Sequence, residues 1–165
     1  MKIIYLMRHA KAANDSPTFE DRDRALNSRG NEDAPRMAAE MKARGFIPDL
    51  VLCSSARRTQ ETCRHMLDVL GPDIPTVFDP GLYLASDEEI LETIHGANPA
   101  ASALLVIGHN PGLEDLAVAL AADDGPPKFP TAALAVFRFD AETWHQVARR
   151  NGAFTDYITP KMLKD

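Results

Sequence analysis

The stretch Lys2-Ile-Ile-Tyr-Leu-Met7, followed at once by Arg8-His9, decides how this chain is read. Its core, Ile3–Met7, is an unbroken run of β-branched, aromatic and long apolar residues, which predicts a strand buried on both faces. Such a strand belongs in the middle of a sheet. Its carboxyl end then lies at the edge where open α/β sheets bind ligands. Arg8 and His9 arrive at that edge together, a cation beside an imidazole able to act as a nucleophile. A dipeptide alone proves little, and its weight rests on what else reaches the same edge.

Outward from this strand, further apolar runs read as strands at Leu50–Cys53, Ala103–Ile107, Ala133–Phe139 and Trp144–Ala148. Helical spacing lies between them. Asn31–Arg44 sets Ala34, Met37, Ala38 and Met41 on one stripe, with Gly45 as the stop. Ala56–Leu70 sets Thr59, Cys63, Met66, Leu67 and Leu70 on one face, and Gly71-Pro72 ends it. Asp87–Ile94 follows Ser86, with Glu89 completing a capping box. Leu113–Ala122 is a further helix, stopped by Asp123-Asp124-Gly125-Pro126-Pro127. Strand–helix alternation over the first 120 residues predicts an α/β fold: a three-layer α/β/α sandwich around a mostly parallel central sheet. The last two runs, joined by Asp140-Ala-Glu-Thr143, are expected to form an antiparallel hairpin at one edge. Ala12–Asn27 and Asp123–Pro130 exceed the usual connection of about 4–6 residues and read as loops over a site.

The 165 residues suit a single domain, 1–165, with the composition of an ordinary globular protein. A formal net charge of −6 argues against nucleic acid or an anionic membrane as the main partner, because both call for a basic face. Cys53 and Cys63 read as reduced, buried small hydrophobes rather than a bridge or a metal site. The chain starts directly in a strand without the features of a signal peptide, and no apolar run approaches the ~20 residues that span a bilayer. A cytoplasmic protein is the expectation.

Two other strand ends carry candidates. After Leu50–Cys53 comes Ser54-Ser-Ala-Arg57-Arg58-Thr-Gln-Glu-Thr62, with two arginines at a helix start. Cations there oppose the helix dipole, a cost that makes sense beside a bound anion; the alternative is that they are solvated surface residues. After Ala103–Ile107 comes Gly108-His109-Asn-Pro-Gly112, a second histidine leaving a buried strand. Two arginine-rich or glycine-flanked histidine sites at one sheet edge make a cationic cage around an imidazole. That constellation suits a phosphoryl group.

These motifs resemble the histidine phosphatase superfamily, which includes phosphoglycerate mutases and phosphohistidine phosphatases. Leu6-Met-Arg-His-Ala10 is similar to its Arg-His-Gly signature, with Ala10 in place of Gly. Ser54–Thr62 is similar to its Ser-x-x-x-Arg-x-x-x-Thr segment and selects Arg58 as the phosphate ligand. Gly108-His109 is similar to its second histidine motif. The resemblance runs from residue 3 to about residue 139. Shorter details resemble SixA-type phosphohistidine phosphatases: Asp23-Arg-Ala-Leu26 with Arg29-Gly30, Leu82-Tyr83, and Gly108-His-Asn-Pro111.

The resemblance implies a phosphoglycerate mutase-like fold and a metal-independent hydrolase with no cofactor. It implies His9 as the nucleophile of a phosphohistidine intermediate, with Arg8, Arg58 and His109 binding the equatorial oxygens. Losing one such donor is expected to raise the barrier by about 3 kcal/mol. The neighbouring arginines are expected to keep His9 neutral. Mutase-like members protonate the leaving oxygen with an acid after the second helix, where this chain reads Gly81-Leu-Tyr-Leu-Ala-Ser-Asp87. Asp87 is the nearest replacement, with a plain helix-start charge as its other reading. Without an acid, the preferred substrate is one with a good leaving group, above all a phosphohistidine on a protein. A small phosphoester substrate and a catalytically silent phosphate-binding module remain the alternatives. Asn14 is a further phosphate-binding candidate, although loop asparagines also form turns. Lys11, Arg22 and Arg24 are read either as substrate contacts or as partners of Asp15, Asp21 and Asp23. His65, His95 and His145 are given no function.

Overall fold

The computed structural model describes residues 1–14 and 20–163. Among them a six-stranded mixed sheet carries helices on both faces, the α/β architecture expected. In chain order the elements are β1 (Lys2–Arg8), α1 (Ser28–Ala43), β2 (Leu50–Ser54), α2 (Arg57–Leu70), β3 (Thr76–Asp79), α3 (Asp87–His95), β4 (Ala103–Gly108), α4 (Gly112–Leu120), β5 (Leu134–Phe139) and β6 (Ala153–Ile158). The strands lie in the order β3-β2-β4-β1-β5-β6. The first four run parallel, whereas β5 is antiparallel to both β1 and β6.

The apolar run Ile3–Met7 is continuous because both faces of β1 are covered. Ile4 and Leu6 enter a core under α3 and α4 together with Leu104, Val106, Ile90, Leu113 and Leu116. Tyr5 and Met7 enter the opposite core with Leu105, Ile107, Cys63 and Met66. The α1 stripe Ala34, Met37, Ala38 and Met41 is buried in that second core, as its spacing predicts. Cys53 and Cys63 are free and buried there. The Ser86–Glu89 capping box starts α3, and Gly45 follows α1 at φ +76°.

Two edge elements differ from the sequence reading. Trp144–Ala148 is not a strand: Trp144–Gln146 forms one 3-10 turn closed by a Thr143–Gln146 capping box. Trp144 is apolar because it fills the core beneath α3, with its Nε1 donating to the Asn98 carbonyl at 3.2 Å. The partner of β5 at the antiparallel edge is instead Ala153–Ile158. At the other edge β3 has no counterpart in the sequence reading. Edge strands need no apolar run, and Val77 and Phe78 of β3 are exposed. No helix among the described residues is long and apolar enough to cross a membrane.

Register builds the site. Arg8 of β1 pairs with Gly108 of β4, and β2 flanks β4 on its other side. The residues that follow these three strands therefore share one edge. At that edge the start of α1 presses on the segment after His9. A Cβ on Gly30 would lie 2.1 Å from the Lys11 carbonyl oxygen, so only glycine fits.

Candidate active site

His9, Arg58 and His109 meet at the carboxyl edge, each nearly buried. The ring centroids of His9 and His109 are 5.3 Å apart. Nδ1 of His9 is 2.7 Å from the Ala10 carbonyl. A carbonyl only accepts, so Nδ1 carries the proton and Nε2 keeps its lone pair. That lone pair faces Nε of Arg58 at 3.4 Å. Arg58 also donates from Nη2 to Nδ1 of His109 at 3.3 Å. A guanidinium cannot accept, so the proton of neutral His109 sits on Nε2, which donates to Ser54 Oγ at 2.8 Å.

Both imidazoles are neutral at physiological pH. His9 is lowered to about 4, chiefly by burial; Arg58, Arg8 and Arg24 push the same way against the Ala10 carbonyl bond. His109 is lowered to about 3 by burial, then by His9 and Arg58. The arginines contribute as the sequence suggests, but desolvation is the larger cause.

Arg8 is half-buried and donates from Nη1 to the Phe129 carbonyl at 3.3 Å. The Asp123–Pro130 loop thus reaches the site. Asn110, the neighbour of His109, donates to the same carbonyl at 2.8 Å. Nε of Arg8 is buried without a hydrogen-bond partner among the described residues.

The Ser54–Thr62 segment has a structural use for each of its spaced residues. Ser54 holds His109, Arg58 enters the site, and Thr62 Oγ1 accepts from the Ala10 amide at 3.0 Å while donating to the Arg58 carbonyl at 2.7 Å. Arg57 is exposed and pairs with Glu61 at 3.0 Å. It is the solvated member of the two arginines.

Asp21, on the Ala12–Asn27 loop, is a site residue that the sequence reading treats only as a charge balance. Its carbonyl accepts from Arg58 Nη1 at 2.8 Å and its Oδ2 from Arg58 Nη2 at 3.0 Å. Oδ2 also accepts from the Tyr83 hydroxyl, and Oδ1 accepts from Arg24 Nε at 3.0 Å. Tyr83 stands edge-on to His109 with ring centroids 5.5 Å apart. The hydroxyl of Tyr83, Arg58 and Arg24 hold the Asp21 carboxyl down at about 2 despite some desolvation. The signals in the sequence were Asp21-Arg-Asp-Arg24 and Leu82-Tyr83; neither spacing reveals contacts across 37 and 62 residues.

Asp87 lies in the first turn of α3 and pairs with Arg149 at 2.8 Å, which holds its carboxyl below the usual range. Its partner is therefore Arg149 and not a member of the cage. Asn14 is exposed beside residues 15–19, which lie outside the described residues, as does the expected charge partner Asp15. No hydrogen bond among the described residues joins Asn14 to Arg8, His9, Arg58 or His109. His65 bonds Asn31, and His95 bonds the Val147 carbonyl while stacking on His145. No group of three or more His, Cys, Asp or Glu among the described residues is placed to hold a metal ion.

Comparison with known proteins points to one family. The family described as "Histidine phosphatase superfamily (branch 1)" matches residues 4–83. An uncharacterised protein of Mycobacterium tuberculosis is 33% identical over 164 residues, covering 94% of this chain and 100% of its own length. Among solved structures, a protein of Agrobacterium tumefaciens provisionally assigned as phosphohistidine phosphatase SixA has a TM-score of 0.84 at 30% identity. The match covers 96% of this chain and 98% of that one. The protein histidine phosphatase SixA complexed with tungstate has a TM-score of 0.83 at 26% identity, covering 98% and 99%.

Proposed function

This chain belongs to the histidine phosphatase superfamily, and on that premise we propose that it hydrolyses phosphohistidine on a protein through a phosphorylated His9. The observation that carries the reading is the Nε2 lone pair of a neutral His9 facing Arg58, with His109 across from it. Nε of Arg8 is a buried donor that a phosphoryl oxygen would satisfy. Tungstate, a tetrahedral oxyanion, is bound by a SixA relative of the same fold.

In the proposed reaction His9 Nε2 attacks phosphorus in line with the P–N bond of the substrate. As the new N–P bond forms, the pair of the old one returns to the substrate imidazole. A substrate protonated on its distal ring nitrogen departs as neutral imidazole, that proton still in place. His9 keeps Nδ1–H on the Ala10 carbonyl and carries the phosphoryl group as a cationic phosphohistidine. The two imidazoles exchange one phosphoryl group, and no external acid is required. Water then attacks phosphorus, the N–P pair returns to Nε2, and the water protons leave with phosphate. Arg8 and Arg58 stabilise the equatorial oxygens by preorganised charge and hydrogen bonds, and His109 joins them in the tautomer that donates from Nδ1 while Ser54 Oγ donates to Nε2.

Proton balance favours phosphohistidine over an alkyl ester. An alkoxide needs a proton as it departs, yet the Asp21 carboxyl at the cage is held at about 2 and is ionised. Asp87 is engaged by Arg149. The test is to trap a radiolabelled phosphoenzyme that is acid-labile and base-stable, present in the wild type and absent in His9→Ala. It is paired with rates on a phosphohistidine protein, an aryl phosphate and sugar phosphates. Faster sugar-phosphate turnover would instead identify a small-molecule phosphatase. No trapped species and no turnover would identify a silent phosphate-binding module.

A further inference from the structure

A guanidinium presents its five N–H groups along two forks, and Arg58 uses them for different purposes. Its end fork is taken by Asp21: Nη1 donates to the main-chain carbonyl at 2.8 Å and Nη2 to the carboxylate at 3.0 Å. Its side fork, Nε with the second Nη2 proton, faces His9 Nε2 and His109 Nδ1 at 3.4 and 3.3 Å. The side-fork contacts are long and weak, so phosphoryl oxygens replace them at little cost. The end-fork contacts are short and charge-assisted.

Asp21 is itself held firmly. Oδ1 takes Nε and Nη2 of Arg24, each at 3.0 Å, and Oδ2 takes Arg58 and the Tyr83 hydroxyl. All four lone-pair sites of the carboxylate are therefore used. A phosphoryl group entering the side fork has no inexpensive way to displace it. The cage consequently works with a fixed negative charge on the far edge of the same guanidinium. On the other side, Glu114 from α4 adds a second negative influence, acting on Arg8.

We infer that Asp21 is a positioning and specificity-determining residue that tunes the cage toward phosphoryl groups carried on a protonated imidazole. This rests on the phosphohistidine reading above and deepens it. A phosphomonoester brings a dianion, whereas a phosphohistidine protonated on its distal nitrogen brings a net charge of one fewer. A fixed carboxylate beside Arg58 disfavours the first more than the second, since like charges at this range in a partly buried site repel appreciably. At the same time it sets the direction of the side fork, which a lone arginine would not hold.

Asp21→Asn removes the charge while keeping the side-chain shape and the main-chain carbonyl that Arg58 Nη1 uses, although its NH2 group can only donate and so gives up the contacts of one carboxylate oxygen. Three quantities are compared with wild type: kcat/KM on a phosphohistidine peptide, kcat/KM on p-nitrophenyl phosphate, and calorimetric Kd for inorganic phosphate at pH 8. The variant is expected to bind phosphate about fivefold more tightly and to shift the substrate ratio about tenfold toward the aryl phosphate. Tyr83→Phe removes one hydrogen bond to Asp21 but keeps the charge, so it should leave that ratio within about twofold. Weaker phosphate binding in Asp21→Asn, with both substrates slowed in parallel, would reduce Asp21 to an anchor and overturn the inference. A wild-type enzyme active on the aryl phosphate but not on the phosphohistidine peptide would overturn the functional reading instead. The phosphate affinities would still decide whether Asp21 acts through its charge.

Discussion

Ser54 Oγ lies 2.8 Å from Nε2 of His109, on the side of the ring away from Arg58. A hydroxyl can accept a hydrogen bond or donate one, and His109 needs both arrangements. Facing Arg58 it accepts at Nδ1; facing a phosphoryl oxygen it must donate there, which requires Nε2 to accept. Ser54→Ala removes the group that permits this exchange and leaves a buried ring nitrogen without its partner. The expected outcome is a fall of about tenfold in kcat. Steady-state kinetics on an aryl phosphate checks it, with KM changed less than kcat.

The two lowered histidines set the pH behaviour. Because His9 loses its proton near pH 4, the acid limb of kcat/KM should lie close to pH 4 rather than near the ordinary imidazole value of 6.5. Stability follows with the opposite emphasis. The unfolded chain binds protons at these histidines below about pH 6.5, while the folded one resists until about 4 for His9 and about 3 for His109. Their contribution is intact above pH 6.5 and is lost progressively as pH falls from there to the folded values, on the order of 3 kcal/mol for His9. Thermal melts at pH 7.5 and pH 4.5 should show the loss, and His9→Gln should reduce it.

Arg58→Lys keeps a positive charge and discards both forks. One ammonium cannot hold the Asp21 carbonyl and carboxylate while also serving two imidazoles. Activity is expected to drop by roughly 10²–10³, with the fold retained. Circular dichroism and turnover of an aryl phosphate, measured on one preparation, separate the two effects.

Gly30→Ala places a methyl group on the Lys11 carbonyl, 2.1 Å away by geometry, so α1 must shift from the segment that follows His9. A loss of about 1–3 kcal/mol is expected, together with reduced activity. Gly45→Ala is the informative contrast. Its Cβ would meet nothing within 4 Å, and only the φ of +76° opposes it. That variant should cost about 1–2 kcal/mol through the backbone alone and leave turnover unchanged. Denaturant titrations of the two variants make the comparison.

The central elements were legible because burial on both faces writes itself as an apolar run, as in Ile3–Met7 and Ala103–Ile107. Helix stripes and the Ser86 cap were equally plain. The edges were not. Ala153–Ile158 is only partly covered and carries Thr155 and Asp156, so its composition gives little strand signal. Trp144 misleads in the opposite sense, since a single buried turn can be as apolar as a strand. The same division holds at the site. His9, Arg58 and His109 stand in recognisable local patterns after strands, and the structure brings them together. Asp21, Tyr83 and Ser54 act through hydrogen bonds to residues far along the chain, and only the register of β1, β2 and β4 makes those partners adjacent.

The central position of β1 also has a consequence for biosynthesis. β1 pairs with Ala103–Gly108 on one side and with Leu134–Phe139 on the other, both far along the chain. Until those residues emerge, an apolar strand waits without either neighbour, and contacts of such separation form slowly. The edge that carries Arg8 and His9 cannot close before both neighbours are in place. The interval before closure, with that strand uncovered, is when aggregation is the chief hazard.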